Sequence, residues 1–287
     1  MLKHVAGFAA AAALAVGASS AASAETVRIG WTAWSDAEFI TKLTARVIEE
    51  HTDYDVELIQ TDIAPQYQGL AGGSIDMMLM SWLPATHEDY VAQVQDDIVF
   101  LGTLYFNARL GWAVPEYVPE DQLSSIADLN DPEVRDRLDG TITGIDPGAG
   151  LTQLSERALE VYELDGYTLQ TSSGAGMTAA LDRAYNRENW IVVTGWSPHW
   201  KFGAYELRYL EDPEGVLGGP ERVHALARKG FDQEHTEVAA MVSRIQLSLD
   251  DLQDAMFDAQ ETSYEDAVTR YIQANEARVQ YWVTGDI

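Results

Sequence analysis

The 287-residue sequence contains no cysteine. Disulfide bonds, a lipidated amino-terminal cysteine and a cysteine nucleophile are therefore excluded, and a chain of this length buries enough surface to fold without covalent staples. Basic residues are scarce: 18 Lys and Arg stand against 46 Asp and Glu, a net charge of −28. A surface of that sign repels nucleic acid and anionic lipid, and its long-range field does not draw in anionic substrates. The acids are spread along the chain rather than clustered, which fits a hydrated surface in a salty medium better than a metal store. Long apolar runs are missing everywhere except at the start. There Lys3 and His4 precede "VAGFAAAAALAVGA", and "ASA" at residues 22–24 supplies small residues for cleavage. This pattern predicts a secretory signal peptide over residues 1–24, cleaved after Ala24, and an exported, periplasmic protein. Losing Lys3 with the leader would take the net charge to −29. Short repeats are absent, as are the G-x-S-x-G nucleophile elbow and the H-E-x-x-H zinc motif.

What is present is an alternation of strand and helix patterns. "TVRIGW" reads as a strand. "SDAEFITKLTARVIEEH" reads as a helix, with Phe39, Leu43 and Val47 at helical spacing and Ser35 and Glu38 as a capping box. "DVELIQT", "APQYQGLAGG" and "SIDMMLMSW" continue as strand, short helix and strand. A second series runs from "TITGID" through "GLTQLSERALEVYEL", "YTLQTSS" and "AGMTAALDRAYNR" to "WIVVTGW". "VFLGTLYF", "RLGWAVP" and "ELRYLED" look extended. The tail predicts three helices, over residues 236–248, 249–259 and 264–283. Such β-α-β series favour an α/β fold with parallel sheets and helices on both faces, here in two lobes.

Tryptophan marks the strand ends. "VRIGWTAWSD" brings Trp31 and Trp34 beyond a strand, "MMLMSWLP" brings Trp82, and "IVVTGWSPHW" brings Trp196. In open α/β sheets ligands sit beyond the carboxyl ends of strands, so Trp34, Trp82 and Trp196 are expected to converge on a cleft between lobes. Several indole faces around one volume give negative quadrupole potential with little hydrogen-bonding capacity. The natural guest is a quaternary ammonium, or a sulfonium with equally diffuse charge, each cation–π contact contributing on the order of 0.5–2 kcal/mol. "TGIDPGAGL" is a strand, a Gly/Pro turn and a helix start, a place where backbone N–H groups suit a carboxylate. His87, five residues after Trp82, is placed to donate to the same group. A core tryptophan, an ordinary βα turn and a solvated histidine are the plain readings of the same residues.

Taken in order, "WTAWSDAEF", "SWLPATHEDY", "GWAVPEY", "TGIDPGAGL", "TGWSPHWKFGAYELRYLEDP" and "RKGF" resemble the glycine betaine-binding proteins of osmoprotectant ABC importers, over nearly all of the chain after the leader. The resemblance implies a two-lobed periplasmic-binding-protein fold (type II-like) with the ligand cleft between lobes: residues 25–110 and 207–287 as lobe 1, and 111–206 as an inserted lobe 2. It implies an onium cage of Trp34, Trp82 and Trp196, and a carboxylate held by the Gly144 and Ile145 backbone amides and the His87 ring. Trp31 and Trp112 are possible cleft-lining residues, with packing beneath the cleft favoured. The implied role is a monomeric receptor, not an enzyme, with no cofactor and no bound metal, delivering to a permease in the inner membrane. Its ligand would be glycine betaine, or else proline betaine, carnitine or dimethylsulfoniopropionate. Choline is the alternative. Related choline-binding proteins carry an acid two places after their first cage tryptophan, a position that is Asp36 if counted from Trp34 and Ala33 if counted from Trp31. A hydrolase using His87 or His199 is the reading from another class.

Overall fold

The structure, a computed structural model, describes residues 25–286, so the expected leader at residues 1–24 lies outside the described residues. The first series is β1 (Glu25–Trp31), α1 (Ser35–His51), β2 (Tyr54–Gln60), α2 (Ile63–Gly72), β3 (Met77–Leu83) and α3 (Glu88–Val94). A long strand, β4 (Ile98–Pro115), leads through a 3-10 turn (Ile126–Asn130) and α4 (Pro132–Arg137) to the second series. That series is β5 (Thr141–Thr143), α5 (Gly150–Val161), β6 (Thr168–Gln170), α6 (Gly174–Tyr185), β7 (Val193–Ser197) and α7 (Lys201–Ala204). The chain closes with β8 (Leu207–Tyr209), β9 (Glu221–Arg228), α8 (Phe231–Glu234), α9 (Thr236–Arg244), α10 (Leu249–Glu261), α11 (Tyr264–Ala274) and α12 (Glu276–Thr284).

The strands run in the order β2-β1-β3-β9-β4-β7-β5-β6, with β8 on β4. β1 pairs in parallel with β2 and β3, and β5 in parallel with β6 and β7. The centre departs from the expected parallel sheet, because β9 and β4 run antiparallel to their neighbours. β9 escaped the sequence pattern, although "ERVHALAR" carries the alternation of a strand, with Val223, Ala225 and Ala227 buried. β4 changes partner along its length. Residues 98–108 pair with β9, and residues 109–113 pair with β7.

Burial explains the elements. β3 reads "MMLMSWL" and is buried along nearly its whole length, so a continuous apolar run replaces alternation. α1 buries Phe39, Leu43 and Val47 together, as their spacing predicts. Its capping box does not form: Trp34 is the N-cap residue with no side-chain cap, and the Ser35 hydroxyl is buried without a partner. The tail helix expected over 264–283 is broken at Asn275, which ends α11 and starts α12. One apolar core spans β1, β3, β9 and α1 and reaches Ile145, Leu151 and Trp196 of the second series. A second core gathers around Trp112, Ile126, Ile142 and Val192. Among the described residues no helix is long and apolar enough to cross a membrane.

Candidate functional site

Where the two series meet, a cavity encloses about 310 Å³ of empty space, part of it open to solvent. Trp34, Trp82, Trp196, Asp36, His87 and Ile145 all line it, together with Thr86 and the start of α5 at Gly150 and Leu151. The expected convergence of three tryptophans is thus seen, although their local settings differ from the expectation. Trp34 lies past β1. Trp82 and Trp196 are the penultimate residues of β3 and β7 rather than loop residues. Each is followed two residues later by a proline after a cis peptide bond, Pro84 or Pro198.

The indoles are held in different ways. Trp34 and Trp196 approach with centroids 6.3 Å apart and planes tilted by 60°. The Trp34 Nε1–H donates to Asp146 Oδ2 at 2.9 Å, and the Trp196 Nε1–H donates to Asp36 Oδ1 at 3.0 Å. Both bonds cross between the two series. Trp82 is anchored locally, its Nε1–H on Met80 Sδ at 2.8 Å and its ring edge-on to Tyr105. Further contacts bridge the cleft. The Tyr90 hydroxyl donates to the Gly148 carbonyl at 2.6 Å. A Cβ on Gly150 would stand 2.3 Å from the Thr86 carbonyl oxygen, so this approach of helix to loop requires glycine. The lobes are closed on each other.

Asp36 belongs to the first turn of α1, as its sequence position suggests, yet it is fully buried and faces the cavity. It accepts bonds from the Tyr105 hydroxyl at 2.7 Å and from Trp196. Burial pushes its pKa up to about 6 in spite of these two donors. The cavity therefore carries a carboxylate beside its three tryptophans.

The opposite end of the cavity offers donors. The His87 ring is buried, and its Nδ1 accepts the Trp82 backbone N–H at 3.1 Å, while the His87 N–H returns to the Trp82 carbonyl at 3.0 Å. Burial pushes the ring's pKa down to about 3, so it is neutral with its proton on Nε2. That ring edge faces the start of α5, Cδ2 lying 3.1 Å from where a Gly150 Cβ would be. α5 begins at Gly150 behind the N-cap residue Ala149, with no side-chain cap and no acid in its first turn, and Ala149, Gly150 and Leu151 line the cavity, so the positive end of its dipole lies at the cavity wall without a local acid to offset it. Ile145 lines this end. Gly144 does not, and its amide is committed to the Gln170 carbonyl at 2.9 Å in the extension of the β5–β6 ladder. The loop bearing Thr86 and His87 is held from β9. Glu221 Oε1 accepts the Ala85 and Thr86 backbone N–H groups and the Thr86 hydroxyl.

Trp112 and Trp31 lie elsewhere. Trp112 is fully buried in the second core with its Nε1–H on Ser155 Oγ, beneath α5 rather than in the cavity. Trp31 ends β1 opposite Gln60 and is absent from the cavity wall. His199 also stands outside it, in a wider cleft on the far side of Trp34 and Trp196, with Nδ1 accepting the Lys201 N–H. Asp146, Glu221 and Gly150 were not distinguished by sequence. Only the glycine, within the Gly/Pro turn, carried a local signal.

Residues 25–274 match the family described as the substrate binding domain of ABC-type glycine betaine transport systems. Among curated relatives, the glycine betaine/carnitine transport binding protein GbuC of Listeria monocytogenes serotype 1/2a (strain 10403S) is 34% identical over 156 residues, 53% of this chain and 52% of that protein. The chain thus matches about half the length of this relative. The crystal structure of lactococcal OpuAC, closed and complexed with glycine betaine, has a TM-score of 0.84 at 32% identity and covers 91% of this chain and 100% of its own. An ABC-transporter choline binding protein in complex with choline has a TM-score of 0.83 at 25% identity, covering 91% of this chain and 92% of its own.

Proposed function

The chain belongs to the family of substrate-binding domains of ABC-type glycine betaine transport systems, a family of solute receptors rather than enzymes, and from that premise we propose that it is the receptor for a carboxylated onium compound, glycine betaine first. The carrying observation is one cavity with chemically opposite ends. Trp34, Trp82 and Trp196 with Asp36 suit a trimethylammonium or sulfonium, and the His87 ring with the uncapped start of α5 suits a carboxylate. Ile145 offers its backbone amide at the carboxylate end; Gly144 is not assigned that role. The receptor acts as a monomer in the periplasm after cleavage behind Ala24 and delivers to a membrane permease. We assign residues 25–110 and 207–287 to one lobe and 111–206 to the other, because β4 exchanges β9 for β7 as partner near that boundary.

Choline is the second reading, and Asp36 favours it, since a buried carboxylate in the cavity is an acceptor for a ligand hydroxyl. Calorimetry with glycine betaine, dimethylsulfoniopropionate, carnitine and choline decides between them. Choline leaves the α5 N–H groups unpaired, at a cost of roughly 1–3 kcal/mol, so it should bind at least about tenfold more weakly than glycine betaine. Equal or tighter choline binding would reverse the ranking. No heat with any onium compound at millimolar concentration would remove the cage.

A further inference from the structure

Lys201 opens α7 and is fully buried. No carboxylate among the described residues lies within 4.0 Å of its ammonium. The Thr194 carbonyl, at 3.5 Å, is its acceptor. Instead Nζ sits over the Trp196 ring, 4.5 Å from the centroid, with the Phe202 ring at 5.6 Å. Lys201 is not part of the cavity wall, whereas Trp196 is. The indole therefore stands between the lysine nitrogen and the space that an onium ligand would take. A buried charge without a partner is costly, so its placement against a cage residue calls for an account.

We propose that Lys201 is a positioning residue that makes onium binding proton-linked: the lysine ammonium and the ligand cation compete for the same Trp196 indole, and binding releases the lysine proton to solvent. The inference rests on the onium-cage reading. Two cations on either side of one indole share its quadrupole and stand about 9 Å apart, where their repulsion in a partly buried setting amounts to roughly a tenfold loss of affinity. With the lysine neutral, that repulsion is gone.

Burial pushes the Lys201 pKa down to about 7, while the Asp36 carboxylate, bound to the edge of the same indole, pulls it back up. The other titrating groups around the pair do not compete in this range. Burial holds His199 well below its ordinary value, hence neutral. Tyr105 on β4 and Tyr264 on α11 are raised by burial and keep their protons. α10 also packs on α7, but none of its carboxylates pairs with Nζ. The signs then agree. As pH rises through about 7, Lys201 loses its charge and onium affinity rises. Asp36, titrating near 6, acts in the same direction at lower pH, because a bound cation favours its ionised form.

The test is calorimetry with glycine betaine from pH 5.5 to 8.5 on the parent and on Lys201→Met, in buffers of different ionisation enthalpy. The parent should bind about threefold tighter at pH 8.5 than at pH 6.5, since a lysine titrating near 7 is only partly charged at the lower pH, and should release a fraction of a proton at pH 7, a measurement that needs no variant. Lys201→Met should lose the change above pH 6.5 and keep the Asp36 change below it. A purely structural lysine would leave the pH profile of the variant parallel to that of the parent. That result, or a parent that binds with a flat profile and no proton release, overturns the inference alone. A parent that binds no onium compound at any pH overturns the cage reading and the inference with it.

Discussion

Trp82 and Trp196 occupy equivalent places in the two series: penultimate in a strand, two residues before a cis proline, facing the same cavity. Their anchoring differs. Trp82 rests on its own surroundings, Met80, Tyr105 and the His87 turn. Trp196 is bonded across the cleft to Asp36 and is backed by Lys201. The first face is therefore built before closure, and the second acquires its full set of partners only when the lobes meet. This division suits a receptor, in which a ligand rests on a preformed wall and is then enclosed by a mobile one.

The sharpest way to break the comparison is to remove each wall in turn. Trp196→Ala deletes a cation–π face, apolar area and the bond to Asp36, and should raise the betaine dissociation constant by about a hundredfold or more. Trp82→Ala loses a face but no cross-cleft bond and should cost less. Equal losses, measured by calorimetry on variants that melt like the parent, would mean that the two walls are not distinct.

A smaller effect is expected from Gly150→Ala. The new methyl meets the Thr86 carbonyl only in the closed state, so ligand-free stability should hold while affinity falls about tenfold. Small-angle scattering should show a ligand-bound particle less compact than the parent. Normal closure and affinity would show that the loop at Thr86 yields instead.

The finest comparison keeps every ring. Trp34→Phe loses the bond to Asp146, while Trp82→Phe loses only the bond to a thioether. The first should weaken binding about threefold to tenfold and the second less than that. The reverse order, read by calorimetry, would mean that the bond of Trp34 to Asp146 across the cleft contributes less to binding than the local bond of Trp82.

Much of this site was legible in the chain. Trp34, Trp82, Trp196 and His87 stand beside Gly/Pro punctuation at the ends of readable strands, and the Trp82–His87 turn is closed by two bonds over five residues. Asp36 stood out only through the resemblance to choline-binding proteins, and Lys201 and Asp146 not at all, because their significance depends on partners far along the chain: Asp36 meets Trp196 across 160 residues, and Trp34 meets Asp146 across 112. Gly144 shows the converse error. Its βα turn looked like a source of free amides, but the pairing of β5 with β6 extends to it and uses its N–H. β9 went unread because a half-alternating strand among tail helices has little local contrast, though it supplies Glu221 to hold the His87 loop.

The sequence by itself determined the element types, the acidic surface, the want of catalytic motifs and the aromatic inventory of the cavity. These follow from composition and from periodicities that act over one or two turns of chain. Only the tertiary structure decided that the Gly144 amide is paired, that a carboxylate faces the tryptophan-lined cavity, and that a buried ammonium lies against Trp196. Burial and hydrogen-bond partnership are set by segments that meet only when the lobes close, and no local pattern carries that information.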